Sequence, residues 1–199
     1  MSYDDDEEFA ADDRAEEGLA RLLAVERLGA HLAAVPWFTH IGQPLLPPER
    51  GHARAYLDAL GFPEADLVPI HDWEEAASAA ENPGFDSAWW DAEEQLRAAL
   101  TAEALTIVDD RELTLALTRL AERAGAAARR AANEAAELGH MDDESLLHAA
   151  VGAAVQAAHQ RALVEIAGVD ADHAFRPKFA LFESGRWPIA VVGSTFHLF

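Results

Sequence analysis

The stretch from Ser145 to Ala167, SLLHAAVGAAVQAAHQRALVEIA, constrains the fold more than any other. It is Ala-rich and almost uncharged in its first half. Its apolar runs fall short of the roughly 20 residues a membrane-spanning helix needs. A helix of this composition must therefore be covered by other parts of the protein, as the central helix of a bundle. Asp142, Asp143 and Glu144 place acid ahead of its first turn, where unpaired amides and the positive dipole end favour it. Gly168 suits a left-handed cap at its end. In helical projection Leu147, Val151, Ala154, Ala158 and Ala162 share one side, with Gln156 and Gln160 opposite, toward solvent. Gly152 and Ala149 leave room for a partner helix. His148 and His159 share a face but stand about three turns, roughly 16 Å, apart, too far to hold one metal ion.

Helical spacing recurs along most of the chain. Met1 to about Glu8 is an acidic tail, and the pattern turns helical from Phe9 to Ala34, ending at Pro36. Residues 36–50, PWFTHIGQPLLPPER, form a proline-rich loop whose Trp37, Phe38, Leu45 and Leu46 pack over the core or line a pocket. A helix over 48–60 follows, then a connector over 64–70. Asp72 with Glu75, and Asp109 with Glu112, have capping-box spacing at the starts of two further helices. Between those two, Asp86 or Ser87 caps a helix running to about Val108. The helix from Asp109 to about Leu138 carries Leu113, Leu117, Leu120, Ala124, Ala127, Ala131 and Leu138 on one stripe. Ala121, Gly125, Ala128, Ala132 and Ala135 lie on the next, so it is expected to pack antiparallel and close against the central helix. Asp172 is expected to cap a short helix with Phe175, Phe179 and Phe182. Two β-prone runs flanking Gly193-Ser194 predict a hairpin. The expected architecture is mainly α: a helical bundle with a short C-terminal β-hairpin. The divisions are a flexible acidic tail (1–8) and a single helical domain (9–199) with the hairpin appended at about 186–199.

Composition removes several function classes. The formal charge is −21 over 199 residues, a field that repels nucleic-acid phosphates and anionic membranes. With no cysteine, no thiol nucleophile, disulfide or Cys-based zinc site can form. The acidic N-terminal stretch is unlike a signal peptide, so a cytoplasmic location is expected. Lys178 is the only lysine among fifteen Lys and Arg residues, a bias read as that of a GC-rich bacterial genome. Phosphate-binding, dinucleotide, nucleophile-elbow and zincin motifs are all missing. Glu137-x-x-His140 matches only one half of a di-iron pattern. No cofactor or metal is expected.

The residues left as candidates are aromatic, acidic and histidine side chains. Trp89 and Trp90 are adjacent on a helix and point about 100° apart, so one of them meets a pocket rim, an interface or a covering loop. Glu93 and Glu94 follow them, and Glu93 has the spacing to pair with Arg97. His40 sits in the apolar loop, and His71 precedes an acid-rich helix start. Arg186 and Trp187 open the distinctive run GRWPIAVVGSTFHLF. Arg119, Arg123, Arg129 and Arg130 offer a docking strip for the acidic arm. The leading expectation is a non-enzymatic helical protein acting by protein–protein contact, as an adaptor or regulatory module. A homodimer or another protein is its expected partner, with no nucleic acid and no membrane. The alternative is a small-ligand-binding protein or metal-assisted enzyme. Its pocket would combine Trp37, Trp89 or Trp90 with His40, His71 and nearby carboxylates.

Overall fold

In this computed structural model the backbone is described over residues 3–199 and the side chains over residues 15–199. The acidic tail expected over residues 1–8, and its docking on the arginine strip, fall outside the described side chains. Seven helices are present among the described residues: α1 (Tyr3–His31), α2 (Pro47–Ala59), α3 (Trp73–Ala80), α4 (Ser87–Ile107), α5 (Asp110–Leu138), α6 (Glu144–Ala167) and α7 (Phe175–Glu183). A single 3-10 turn, Leu32–Ala34, extends α1. Three strands complete the chain: β1 (Asp66–Pro69), β2 (Pro188–Val192) and β3 (Thr195–Leu198). The molecule is mainly α-helical, with a C-terminal hairpin formed by β2 and β3.

Short acidic side chains start four of the helices. Asp72 accepts from Glu75 N at 2.9 Å, Asp86 from Ala88 N at 2.9 Å, Asp109 from Glu112 N at 2.7 Å and Asp143 from Ser145 N at 2.8 Å. Each satisfies an amide that the first helical turn leaves free, a contribution of about 1 kcal/mol. Gly168 ends α6 at φ 65°, the left-handed conformation that glycine adopts at little cost. Ala174, not Asp172, precedes α7, and no side chain caps it.

Helix α6 packs against α1, α4, α5 and α7, and its contact with α5 is the most extensive between helices. Small residues set that spacing. Ala150, Ala154, Ala157, Ala158 and Ala162 of α6 are buried, as are Ala124, Ala128 and Ala132 of α5. A Cβ added at Gly125 would sit 3.7 Å from Val155. Because neighbours cover the C-terminal half of α6, the solvent face expected at Gln160 does not exist. Gln160 is fully buried, and neither side-chain polar atom meets a protein partner. Gly152 instead faces open space. Leu138, placed on the core stripe of α5 by spacing, projects outward and is 79% exposed. On α7, Phe175, Phe179 and Phe182 are buried, and Trp37 packs on Phe179 and Phe182 at 6.0 and 5.6 Å between ring centroids.

The stretch over 64–70 is not merely a connector. Asp66–Pro69 forms β1 and pairs in parallel with β3, Leu67 opposite Phe196 and Val68 opposite His197. The sheet order is β1-β3-β2, so the strand latest in sequence lies in the middle. Four residues ending in proline carry too little periodicity to signal a strand. Pairing with β3 creates it.

No helix is long and apolar enough to cross a membrane among the described residues.

Candidate functional site

Two buried ion pairs hold the non-helical part of the chain to the bundle, and they differ in one decisive respect. In the first, Arg186 lies against Glu49 of α2, with Nε 3.0 Å from Oε1 and Nη2 3.0 Å from Oε2. Its remaining donors reach the carbonyls of His40, Gln43 (2.7 Å) and Pro44 (2.9 Å). All five guanidinium N–H groups are thus engaged. Glu49 Oε2 also accepts from Leu46 N at 2.7 Å. His40 joins the same knot, its Nδ1 2.8 Å from the Ser184 carbonyl oxygen. This pair straps the 36–46 loop onto the turn between α7 and β2, and nothing in it is left to bind a ligand.

In the second pair, Lys178 of α7 donates from Nζ to Glu93 Oε1 of α4 at 2.5 Å. The Tyr56 hydroxyl of α2 donates to the same oxygen. Glu93 is 1% exposed and Lys178 4%. Glu93 Oε2 has no protein partner, and neither does the buried indole N–H of Trp89. Lys178 donates to no other protein atom among the described residues. The rings of Tyr56 and Phe175 flank the ammonium at 5.9 and 6.0 Å. Burial pulls the Lys178 ammonium below its usual range, against the opposing pull of Glu93. Burial, reinforced by the Glu93 charge, raises the Tyr56 phenol well above its own. Most buried polar atoms in proteins are hydrogen-bonded. Here a carboxylate oxygen, an indole donor and part of an ammonium are left over in one place.

That place is the floor of a cleft of about 290 Å³ where five parts of the chain meet. Helix α4 contributes Trp89, Trp90 and Glu93, and α6 contributes Ala149, Ala153 and Gln156. Lys178 comes from α7, and Trp187 and Ile189 stand at and beside the start of β2. Phe85 bridges to Val192 of β2 and packs edge-on against Trp89 at 5.9 Å. Trp89 is buried, while Trp90, one residue on, is 43% exposed at the rim. Larger hollows exist, of about 550 and 720 Å³, and unpartnered nitrogens of His52 and Arg176 lie at the first and of His197 at the second, but the side chains that carry them are only half-buried. What distinguishes the smaller cleft is a charged pair buried almost completely, Glu93 at 1% and Lys178 at 4% exposure, rather than volume.

The candidate residues divide among three places. Trp89, Trp90, Glu93 and Trp187 converge on this cleft. Trp37 and His71 line a separate cleft of about 410 Å³ between the 36–46 loop and the end of α5. Trp37 is buried there, its N–H donating to the Leu32 carbonyl at 3.0 Å, and His71 is exposed. His40 and Arg186 belong to the strap. The structure therefore does not bring His40 and His71 to the tryptophans of α4. Glu94 pairs with Arg97 at 2.6 Å, the partner expected for Glu93, because Glu93 turns inward to Lys178. The Glu94 carboxyl is held below its usual range by that guanidinium. On the arginine strip, Arg123 pairs with Glu26 of α1 at 3.0 Å. Among the described residues no three His, Asp or Glu side chains gather at metal-ligand spacing.

Two residues that meet Glu93, Tyr56 and Lys178, are not singled out by sequence reading. Lys178 reads as coding bias. Its rarity is the available signal, and a bias against lysine does not explain why the one retained is buried on a carboxylate.

Fold and site together define a mainly α protein with a charged, aromatic-walled cleft between its bundle and its C-terminal sheet. Compared with known protein families, curated proteins and solved structures, the chain matches none.

Proposed function

We propose that this chain binds a small molecule in the cleft above Glu93 and Lys178. The observation that carries the reading is the buried Glu93 oxygen without a protein partner, set beside an under-used ammonium. A single ligand oxygen of hydroxyl type satisfies the pair: it accepts from Lys178 and donates to Glu93 Oε2. Trp90 and Ile189 offer apolar cover for the rest of the ligand. The volume lies at the low end of ligand sites, so a molecule of few heavy atoms fits.

Tryptophan fluorescence tests this directly. Benzyl alcohol and cyclohexanol are expected to give saturable changes, about tenfold tighter than toluene and methylcyclohexane, because a hydrogen bond to a charged group contributes about 1.5–3 kcal/mol. Ala153→Phe fills the cleft without touching the ion pair and is expected to abolish the response. Equal responses from alcohols and hydrocarbons, or from the filled variant, would remove the reading.

Protein–protein contact stands as a second reading, supported by the exposed Leu138 beside the apolar cleft at the end of α5. Under it the chain self-associates through that end. Light scattering that finds only monomers at high concentration, with or without Leu138→Glu, counts against it.

A further inference from the structure

We infer that Lys178 is an imine-forming nucleophile, and that the molecule the cleft takes is a small aldehyde or ketone. The inference rests on the ligand-binding reading above and adds a covalent step to it.

Three observations carry it beyond a structural ion pair. The chain places arginine at every other Lys or Arg position, and a guanidinium does not lose its proton in a protein, whereas an ammonium can. The one side-chain amine of the chain is buried on the cleft floor. The second buried pair, Arg186 with Glu49, shows what a purely structural pair looks like in this fold: every donor engaged and no cleft beside it. The Lys178 pair has the opposite character: Glu93 Oε2 lacks a protein partner, and both residues line a cleft. Third, the groups that imine chemistry requires surround the amine. A proton acceptor lies 2.5 Å away, and burial disfavours the charged form.

The step balances without any outside reagent. Lys178 passes a proton to Glu93, and the neutral amine adds to the carbonyl carbon, forming the C–N bond as the C=O π pair moves to oxygen. Glu93 returns its proton to that oxygen, giving a hydroxyl. It then takes one proton from nitrogen and delivers it to the hydroxyl, which leaves as water while the nitrogen lone pair forms the C=N bond. An ammonium and a carbonyl compound become an iminium and water, with Glu93 again a carboxylate. Tyr56, donating to Glu93 Oε1, holds the carboxylate in place.

The single lysine makes the test simple to read. The folded protein is incubated with benzaldehyde or cyclohexanone, reduced with sodium cyanoborohydride, digested and mapped by mass spectrometry. The expected result is a reduced adduct on Lys178, formed faster than on the same residue in urea-unfolded chain, since burial raises the neutral fraction of the amine. Glu93→Gln is expected to slow labelling about tenfold or more by removing the proton carrier. If that variant is too unstable to assay, the folded-to-unfolded rate ratio decides alone. Labelling confined to the α-amine, or no faster on Lys178 than in the unfolded chain, overturns the inference. Failure to label while benzyl alcohol and cyclohexanol still bind overturns it and leaves the cleft reading standing. Failure of both removes both.

Discussion

Arg186→Met is expected to destabilise the protein by about 3–5 kcal/mol, at the upper end of what removing one partner of a buried ion pair costs. The substitution does more than strand the Glu49 charge. It also leaves the carbonyls of His40, Gln43 and Pro44 without their donors, and an unsatisfied buried polar group costs about 1–3 kcal/mol. Removing both charges, with Glu49→Leu and Arg186→Met together, is therefore not expected to restore stability. The loop carbonyls remain unanswered. Guanidinium-induced unfolding, extrapolated linearly to water, gives both values. A double variant as stable as the parent would show that the strap is dispensable.

The second pair is expected to behave differently. Lys178→Met alone leaves Glu93 buried beside Tyr56 and is expected to cost about 3 kcal/mol. Glu93→Leu with Lys178→Met is expected to return to within about 2 kcal/mol of the parent, because no backbone group depends on either side chain and only the Tyr56 hydroxyl loses its acceptor. The same double variant is expected to lose the response to benzyl alcohol. Contrasting double-variant outcomes at the two pairs would separate a device that holds the fold from one the fold tolerates for another purpose. A single-variant cost below about 1 kcal/mol at Lys178 would mean that Glu93 is solvated through the cleft like a surface carboxylate.

How much of this was legible beforehand differs from element to element. Helix starts at Asp72, Asp109 and Asp143 were readable because a cap is local: acceptor and amide lie within three residues. The hairpin after Arg186 was readable for the same reason, since its turn and both strands are contiguous. Strand β1 was not, because what makes Asp66–Pro69 a strand lies at Thr195–Leu198. Gln160 was misplaced because the exposed side of α6 runs through Ser145, His148, Ala149 and Gly152 and does not extend to its C-terminal half. In the cleft, Trp89, Trp90 and Glu93 drew attention through local crowding on one helix. Lys178 and Tyr56 did not, since their meaning comes from meeting Glu93 across 85 and 37 positions of sequence. The pairing of Arg97 with Glu94 shows the same limit on a smaller scale. Spacing allowed either glutamate, and the distant lysine decided.

The parallel pairing of β1 with β3 also bears on how the chain reaches this state. Closing a contact between positions near 66 and 195 must await most of the intervening helices, and long-range closure of this kind slows folding. Helices α1 to α6 can gather as a locally wound assembly while β1 waits with an unpaired edge. The Arg186 strap and the cleft wall at Trp187 lie in the same late segment as β2 and β3. Capacity to take up a ligand should thus arrive in the final kinetic phase, together with sheet closure rather than with helix formation.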